Sequence, residues 1–130
     1  MKALKTTATA LMIAAGMMMG GNALAGDNCK NFDIKIQNQS GYQVKVTKVE
    51  YYDYDKTKWR KESLTQKVLQ NNVIWTWERD LEHVDNDSTK IKVSFKEKYG
   101  GAVNGYSHTM YAYSNKFTCR DNGSKTIVLR

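Results

Sequence analysis

The sequence contains no proline, only two cysteines and two histidines, and no apolar run long enough to cross a bilayer. Without proline, the usual residue that blunts an exposed strand edge is missing, so any sheet here has to be guarded by lysine or by bulges. Cys29 and Cys119 have no C-x-x-C spacing and no histidine cluster around them, which excludes a four-ligand zinc site. His83 and His108 are the whole imidazole supply for acid–base chemistry. Neither stands in a nucleophile motif such as G-x-S-x-G, and the sequence has no such motif. The longest apolar stretch, Ala8 to Met19, is about a dozen residues, against the roughly 20 that a spanning helix needs.

That stretch follows Lys2 and Lys5 and leads into Ala23-Leu24-Ala25, the order of a positive segment, an apolar segment and a small-residue cleavage site. Residues 1–25 are therefore expected to be a cleaved secretory signal peptide, with a single domain over 26–130 and a periplasmic or secreted product. A lipid anchor would require a cysteine directly after the small residue, and Asp27 stands there instead. In an oxidising compartment an even pair of cysteines implies a Cys29–Cys119 disulfide. Loss of Lys2 and Lys5 lowers the formal charge from +7 to about +5. The remaining lysines alternate with apolar residues and do not cluster. With export from the cytoplasm, that points away from nucleic acid and toward a protein or an anionic envelope component as partner.

The dominant period is two. Phe32, Ile34 and Ile36 alternate with Asp33, Lys35 and Gln37, and Ile91, Val93 and Phe95 alternate with lysines and Ser94. Both segments read as strands with one buried face. Tyr42–Tyr52 carries Tyr42, Val44 and Val46 in one phase and Val49 and Tyr51 in the other, which predicts a β-bulge near Thr47-Lys48. Further strands are expected at 59–64, 73–78, 106–113, 117–119 and 125–129. The turns between them fall at Gln39-Ser40-Gly41, Asn71-Asn72, Asp85-Asn86-Asp87, Gly100-Gly101, Asn104-Gly105 and Asp121-Asn122-Gly123. Within 62–70, Leu64, Val68 and Leu69 have a spacing that also suits a short helix. The fold class is all-β, a small antiparallel β-sandwich of about 7–8 strands with one disulfide, and a small barrel is the alternative.

The densest group of recognition residues is Tyr51-Tyr52-Asp53-Tyr54-Asp55-Lys56 with Trp59 close behind. Tyr51 shares its phase with Val49 and belongs to the core side, whereas Tyr52 and Tyr54 point the other way. Tyr52, Asp53, Tyr54, Asp55 and Trp59 are the predicted binding surface. Asp53-x-Asp55 and Asp85-x-Asp87 are loop carboxylate pairs of a kind that can chelate calcium if both loops emerge at one end of the sandwich. The run Asp53-Tyr54-Asp55-Lys56 resembles, over those four residues, a loop of the calcium-dependent phospholipid-binding sandwich domains. That resemblance would imply calcium and lipid. Otherwise the aspartates are turn formers capping their own amides, and no cofactor is expected. Trp75 and Trp77 share one strand face with Val73 and read as core. Eight tyrosines, with Tyr106, Tyr111 and Tyr113 close together, exceed the needs of a core this size. The predicted function is a non-catalytic binding module for a protein partner, of the inhibitor or toxin-neutralising kind. A calcium- or charge-assisted binder of membrane lipid or envelope glycan is the second reading, and a small carboxylate hydrolase the third.

Overall fold

The computed structural model describes residues 27–99 and 105–130. The predicted signal segment, its cleavage site and the turn residues Gly100, Gly101 and Asn104 lie outside them. The described chain forms ten strands and no helix. They are β1 (Cys29–Asn38), β2 (Val44–Asp53), β3 (Lys58–Lys61), β4 (Lys67–Leu69), β5 (Ile74–Leu81), β6 (Ser88–Thr89), β7 (Ile91–Glu97), β8 (Met110–Tyr113), β9 (Phe117–Thr118) and β10 (Ser124–Leu129).

Two sheets pack on one core. The first has the order β10-β1-β5, and the second the order β3-β2-β7-β8, with β4 also paired to β2. Phe32, Ile34, Ile36, Ile127 and Leu129 from the first sheet meet Val44, Val46, Val49, Tyr51, Ile91, Val93 and Phe95 from the second in a single buried cluster. This is the alternation seen in the sequence, each inward residue flanked by an outward polar one. The fold is thus the expected all-β sandwich, with two departures: ten strands stand where about 7–8 were expected, and β1 and β10 run parallel, from Asp33 opposite Ser124 to Asn38 opposite Leu129. The remaining paired strands are antiparallel.

The phase slip in β2 is a register shift against β7 between Val46 and Lys48, where the bulge was expected. A second shift, in β1 between Cys29 and Phe32, coincides with a left-handed backbone at Asn31. Asn72, Asn86 and Asn122 also have positive φ. These are the central residues of three predicted turns, and asparagine tolerates this conformation because its short amide can bond locally. Gly123 follows Asn122 for a different reason. A Cβ there would lie 2.9 Å from the Arg120 carbonyl oxygen and 3.2 Å from the Phe32 ring.

Segment 62–70 is not helical. Lys67–Leu69 pairs antiparallel with β2, with Val44 opposite Leu69 and Val46 opposite Lys67. Leu69 enters the core, Leu64 packs against it and Val68 faces solvent. A three-residue strand carries too little alternation to be told from a helical turn. The predicted strand at 106–113 shortens to Met110–Tyr113, preceded by an isolated bridge between Lys98 and Tyr106. Asn38, fully buried at the end of β1, joins the two sheets. Its Nδ2 reaches the carbonyl oxygens of Tyr42 at 2.7 Å and of Leu69 and Gln70 at 3.1 Å, and its Oδ1 accepts from the Ser40 amide and hydroxyl.

The disulfide joins Cys29, at the start of β1, to Cys119, just after β9. Both cysteines are fully buried. On the open side of the sandwich, β5 turns Trp75 and Trp77 inward against the core. The two indoles stack at 5.2 Å, with Lys67 over the outer face of one and Arg79 over the other. Arg79 Nε also donates to Glu62 at 2.8 Å. The expectation that these tryptophans serve the core holds, and their cationic neighbours complete the enclosure.

Candidate functional site

The outer face of the five-stranded sheet gathers the aromatic surplus. Tyr52 stands opposite Trp59 in the β2–β3 ladder. Across β7, Lys92 lies opposite Glu50 on one side and Tyr113 on the other, and Ser94 lies opposite Tyr111. Residues directly opposite share a face, so Tyr52, Trp59, Tyr111 and Tyr113 are brought together from three separate strands. The ring centroids run from Tyr54 to Tyr52 at 4.8 Å, Tyr52 to Trp59 at 5.1 Å and Trp59 to Tyr113 at 6.3 Å. Tyr54, Tyr111 and Tyr113 are exposed, the last two by 57% and 58%. Tyr52 and Trp59 are half-buried within the row.

Lysines cover this row. Lys90 lies over the rings of Tyr52 and Trp59, Lys92 over Trp59 and Tyr111, and Lys116 over Tyr54, all within 6 Å of the ring centroids. Lys45, Lys48, Lys61 and Lys96 fall on the same face by register. The acid among these outward strand positions is Glu50, held by Lys92 at 3.2 Å and by Lys48 at 3.9 Å. The outer face of the three-stranded sheet has the opposite bias, with Asp33 directly across from Glu78, Asp80 on the same strand as Glu78, and Lys35 as the cation. The sandwich is therefore electrically polar, with a basic aromatic face and an acidic face.

Of the predicted contact residues, Tyr52, Tyr54 and Trp59 belong to this face, and Tyr51 is buried as its phase required. Asp53 does not belong to it. The residue is 1% exposed. Oδ2 accepts from Arg60 Nε at 2.8 Å and Oδ1 from the Lys56 amide at 3.1 Å. Burial alone would raise its pKa, but the Lys56 amide and the Arg60 guanidinium outweigh it and hold the carboxyl below its ordinary value. The residue locks the β2–β3 hairpin and leaves its surface role to its neighbours. Tyr111, Tyr113, Lys90, Lys92 and Lys116 were absent from the predicted surface. The excess of tyrosine hinted at them, but their meeting with Trp59 depends on strand order.

The calcium candidates separate into two places. Asp53, Asp55 and Asp87 border one cleft of about 250 Å³ together with Tyr54, Ser88 and Lys116, so both loops do emerge at one end. The oxygens of Asp53, however, are already engaged, and Lys116 adds a positive charge. Asp85 points elsewhere, toward Asp121 and Asp27. Burial, then the Asp121 charge and hydrogen bond, then Asp27, push its pKa up. Among the described residues, the one group of three ligand-type side chains is Cys29, Asp85 and Asp121. The Cys29 sulfur is spent in the disulfide. The four candidate carboxylates thus divide three to one between two clefts.

His83 and His108 are both exposed. His83 has a left-handed backbone in the turn after β5, and its amide donates to Asn28 Oδ1 at 3.4 Å. Among the described residues no helix is long and apolar enough to cross a membrane. Models of known protein families, curated protein sequences and solved structures yield no match to this chain.

Proposed function

We propose that this chain is a non-catalytic binding module of an exported protein that docks an acidic protein partner on the outer face of its five-stranded sheet. The observation that carries the reading is the continuous row Tyr54–Tyr52–Trp59–Tyr113 with Lys90, Lys92 and Lys116 seated over its rings. Tyrosine and tryptophan supply large contact area at small entropic cost, and lysine steers an acidic partner and sets its register.

Ring orientation favours protein over glycan. Neighbouring rings in the row stand at 74°, 72° and 56° to one another, so they present edges and hydroxyls as well as faces. A sugar chain stacking on successive rings needs faces aligned in one plane, and here the lysines occupy those faces. The buried disulfide supports an oxidising compartment. A partner held in this way is one that an inhibitor or a neutralising protein covers.

A photo-crosslinking residue at position 113, in protein expressed in its native host, tests the proposal. One protein adduct is expected, lost in a Lys90→Glu, Lys116→Glu variant and retained in a Thr126→Ala control on the opposite face. Absence of any protein adduct, with salt-sensitive co-sedimentation on anionic vesicles, would replace the protein reading with a membrane one.

A further inference from the structure

We infer that β5 is a second interaction surface, through which two copies of this chain pair edge to edge, antiparallel, into one continuous six-stranded sheet. β5 is the edge of the three-stranded sheet and spans eight residues. The Asn38 amide donates to the Val73 carbonyl, and the ladder continues through Ile36 opposite Trp75, Ile34 opposite Trp77 and Phe32 opposite Arg79. Antiparallel ladders alternate. The backbone groups of Ile74, Thr76, Glu78 and Asp80 therefore point away from β1, and among the described residues nothing bonds to them.

The edge lacks several of the usual guards. β3 begins and ends in lysine, β4 begins in lysine, β8 is four residues long and β10 carries Lys125, whereas β5 has no lysine, no proline and no internal bulge. Its single inward-facing cation, Arg79, is drawn back onto Glu62 and the Trp77 ring. Val73 and Ile74 are 39% and 54% exposed at the strand's beginning.

The strand's fit to itself selects a second copy as the occupant. In a two-fold register centred on Trp77 the whole strand overlaps. Glu78 then faces Thr76 of the other copy, Asp80 faces Ile74, and Arg79 faces Trp75, so no like charges stand directly opposite. Every outward amide and carbonyl of the four free residues gains a partner. The two-fold axis is normal to the sheet, so both five-stranded sheets lie on the same side of it. If the binding reading above holds, the dimer presents two basic aromatic faces in one direction and gains by avidity.

Light scattering on the whole protein from about 1 µM to about 1 mM tests this, since a symmetric pair follows protomer concentration. A monomer–dimer equilibrium is expected. Thr76→Pro removes an amide that β1 does not use, and Ile74→Lys restores the missing edge lysine. Each should raise the dissociation constant by at least about tenfold, and Tyr111→Ala with Tyr113→Ala should leave it unchanged. If Thr76→Pro does not fold, Ile74→Lys decides. A monomer throughout the range would overturn the inference. So would a dimer that survives both edge variants, or one that is lost only with the tyrosines. The tyrosine variant separates the two surfaces, so failure of the edge leaves the binding reading intact.

Discussion

The hydroxyl oxygen of Tyr51 accepts the Glu82 amide hydrogen at 2.8 Å, and the same hydroxyl lies 3.2 Å from the Glu82 carbonyl, to which it donates. A core side chain of the five-stranded sheet thus pins the turn that leaves β5. Burial first, and the nearby Glu62 charge second, push its pKa up to about 12 from the usual 10. A raised folded-state pKa favours the protonated hydroxyl, so its contribution is complete below pH 10 and is lost as pH rises from 10 toward 12. Tyr51→Phe should cost about 1–2 kcal/mol at neutral pH. It should also flatten the alkaline fall in stability, which urea titrations at several pH values would read.

Asp53 runs in the other direction. Its depressed pKa makes its contribution complete above the ordinary carboxylate value and lost as pH falls through the folded one. Arg60→Gln leaves the buried Asp53 carboxylate without its cation. The expected cost is about 2 kcal/mol at pH 7, below the roughly 3–5 kcal/mol of fully buried pairs because Arg60 keeps 18% of its side chain exposed. The difference from wild type should shrink in acid, and equal differences at both pH values would contradict this account.

Asp85→Asn should raise the melting temperature at neutral pH and leave it unchanged in strong acid. Its pKa is raised by burial and by Asp121 and Asp27, so the folded state binds a proton more readily than the unfolded one and is disfavoured once that proton leaves. The asparagine carries no charge to disfavour.

Removing the disulfide with Cys29→Ser and Cys119→Ser opens a loop with a sequence separation of 90 residues. The chain-entropy model puts the loss at about 4–5 kcal/mol, comparable with the net stability of a small domain. Melting curves with and without reductant should separate widely.

Tyr111→Ala with Tyr113→Ala should leave stability within about 0.5 kcal/mol, because both rings are more than half exposed. Tyr52→Ala should cost more, since its ring touches Tyr54, Trp59 and Lys90. Exposure divides binding residues from supporting ones within one row.

Long strands were legible because alternation over six or more residues is hard to produce otherwise. Phe32–Asn38 and the slip at Thr47-Lys48 reappear in β1 and in the shifted β2–β7 register. The sidedness of Tyr51 against Tyr52 and Tyr54 followed from the same period. Two short strands were not legible: Ser88–Thr89 lies in a polar stretch, and Lys67–Leu69 mimics a helical turn. The last ring of the aromatic row was hidden for another reason. Trp59 and Tyr113 are distant in sequence and meet only because β2 and β7 lie between β3 and β8. The engagement of Asp53 by Arg60 likewise depends on the hairpin closing, so its carboxylate looked available when it was not.

The parallel pairing of β1 with β10 also determines how the molecule bears tension. Pulling on the N-terminal end of β1 and the C-terminal end of β10 loads the ladder from Asp33–Ser124 to Asn38–Leu129 in shear, so the bonds resist together and do not peel one at a time. The Cys29–Cys119 bond takes the load ahead of everything between them. Under force the tail after Cys119 can be drawn out only by stripping β10 from the sheet, and the aromatic face, enclosed by the covalent loop, keeps its shape while it is pulled.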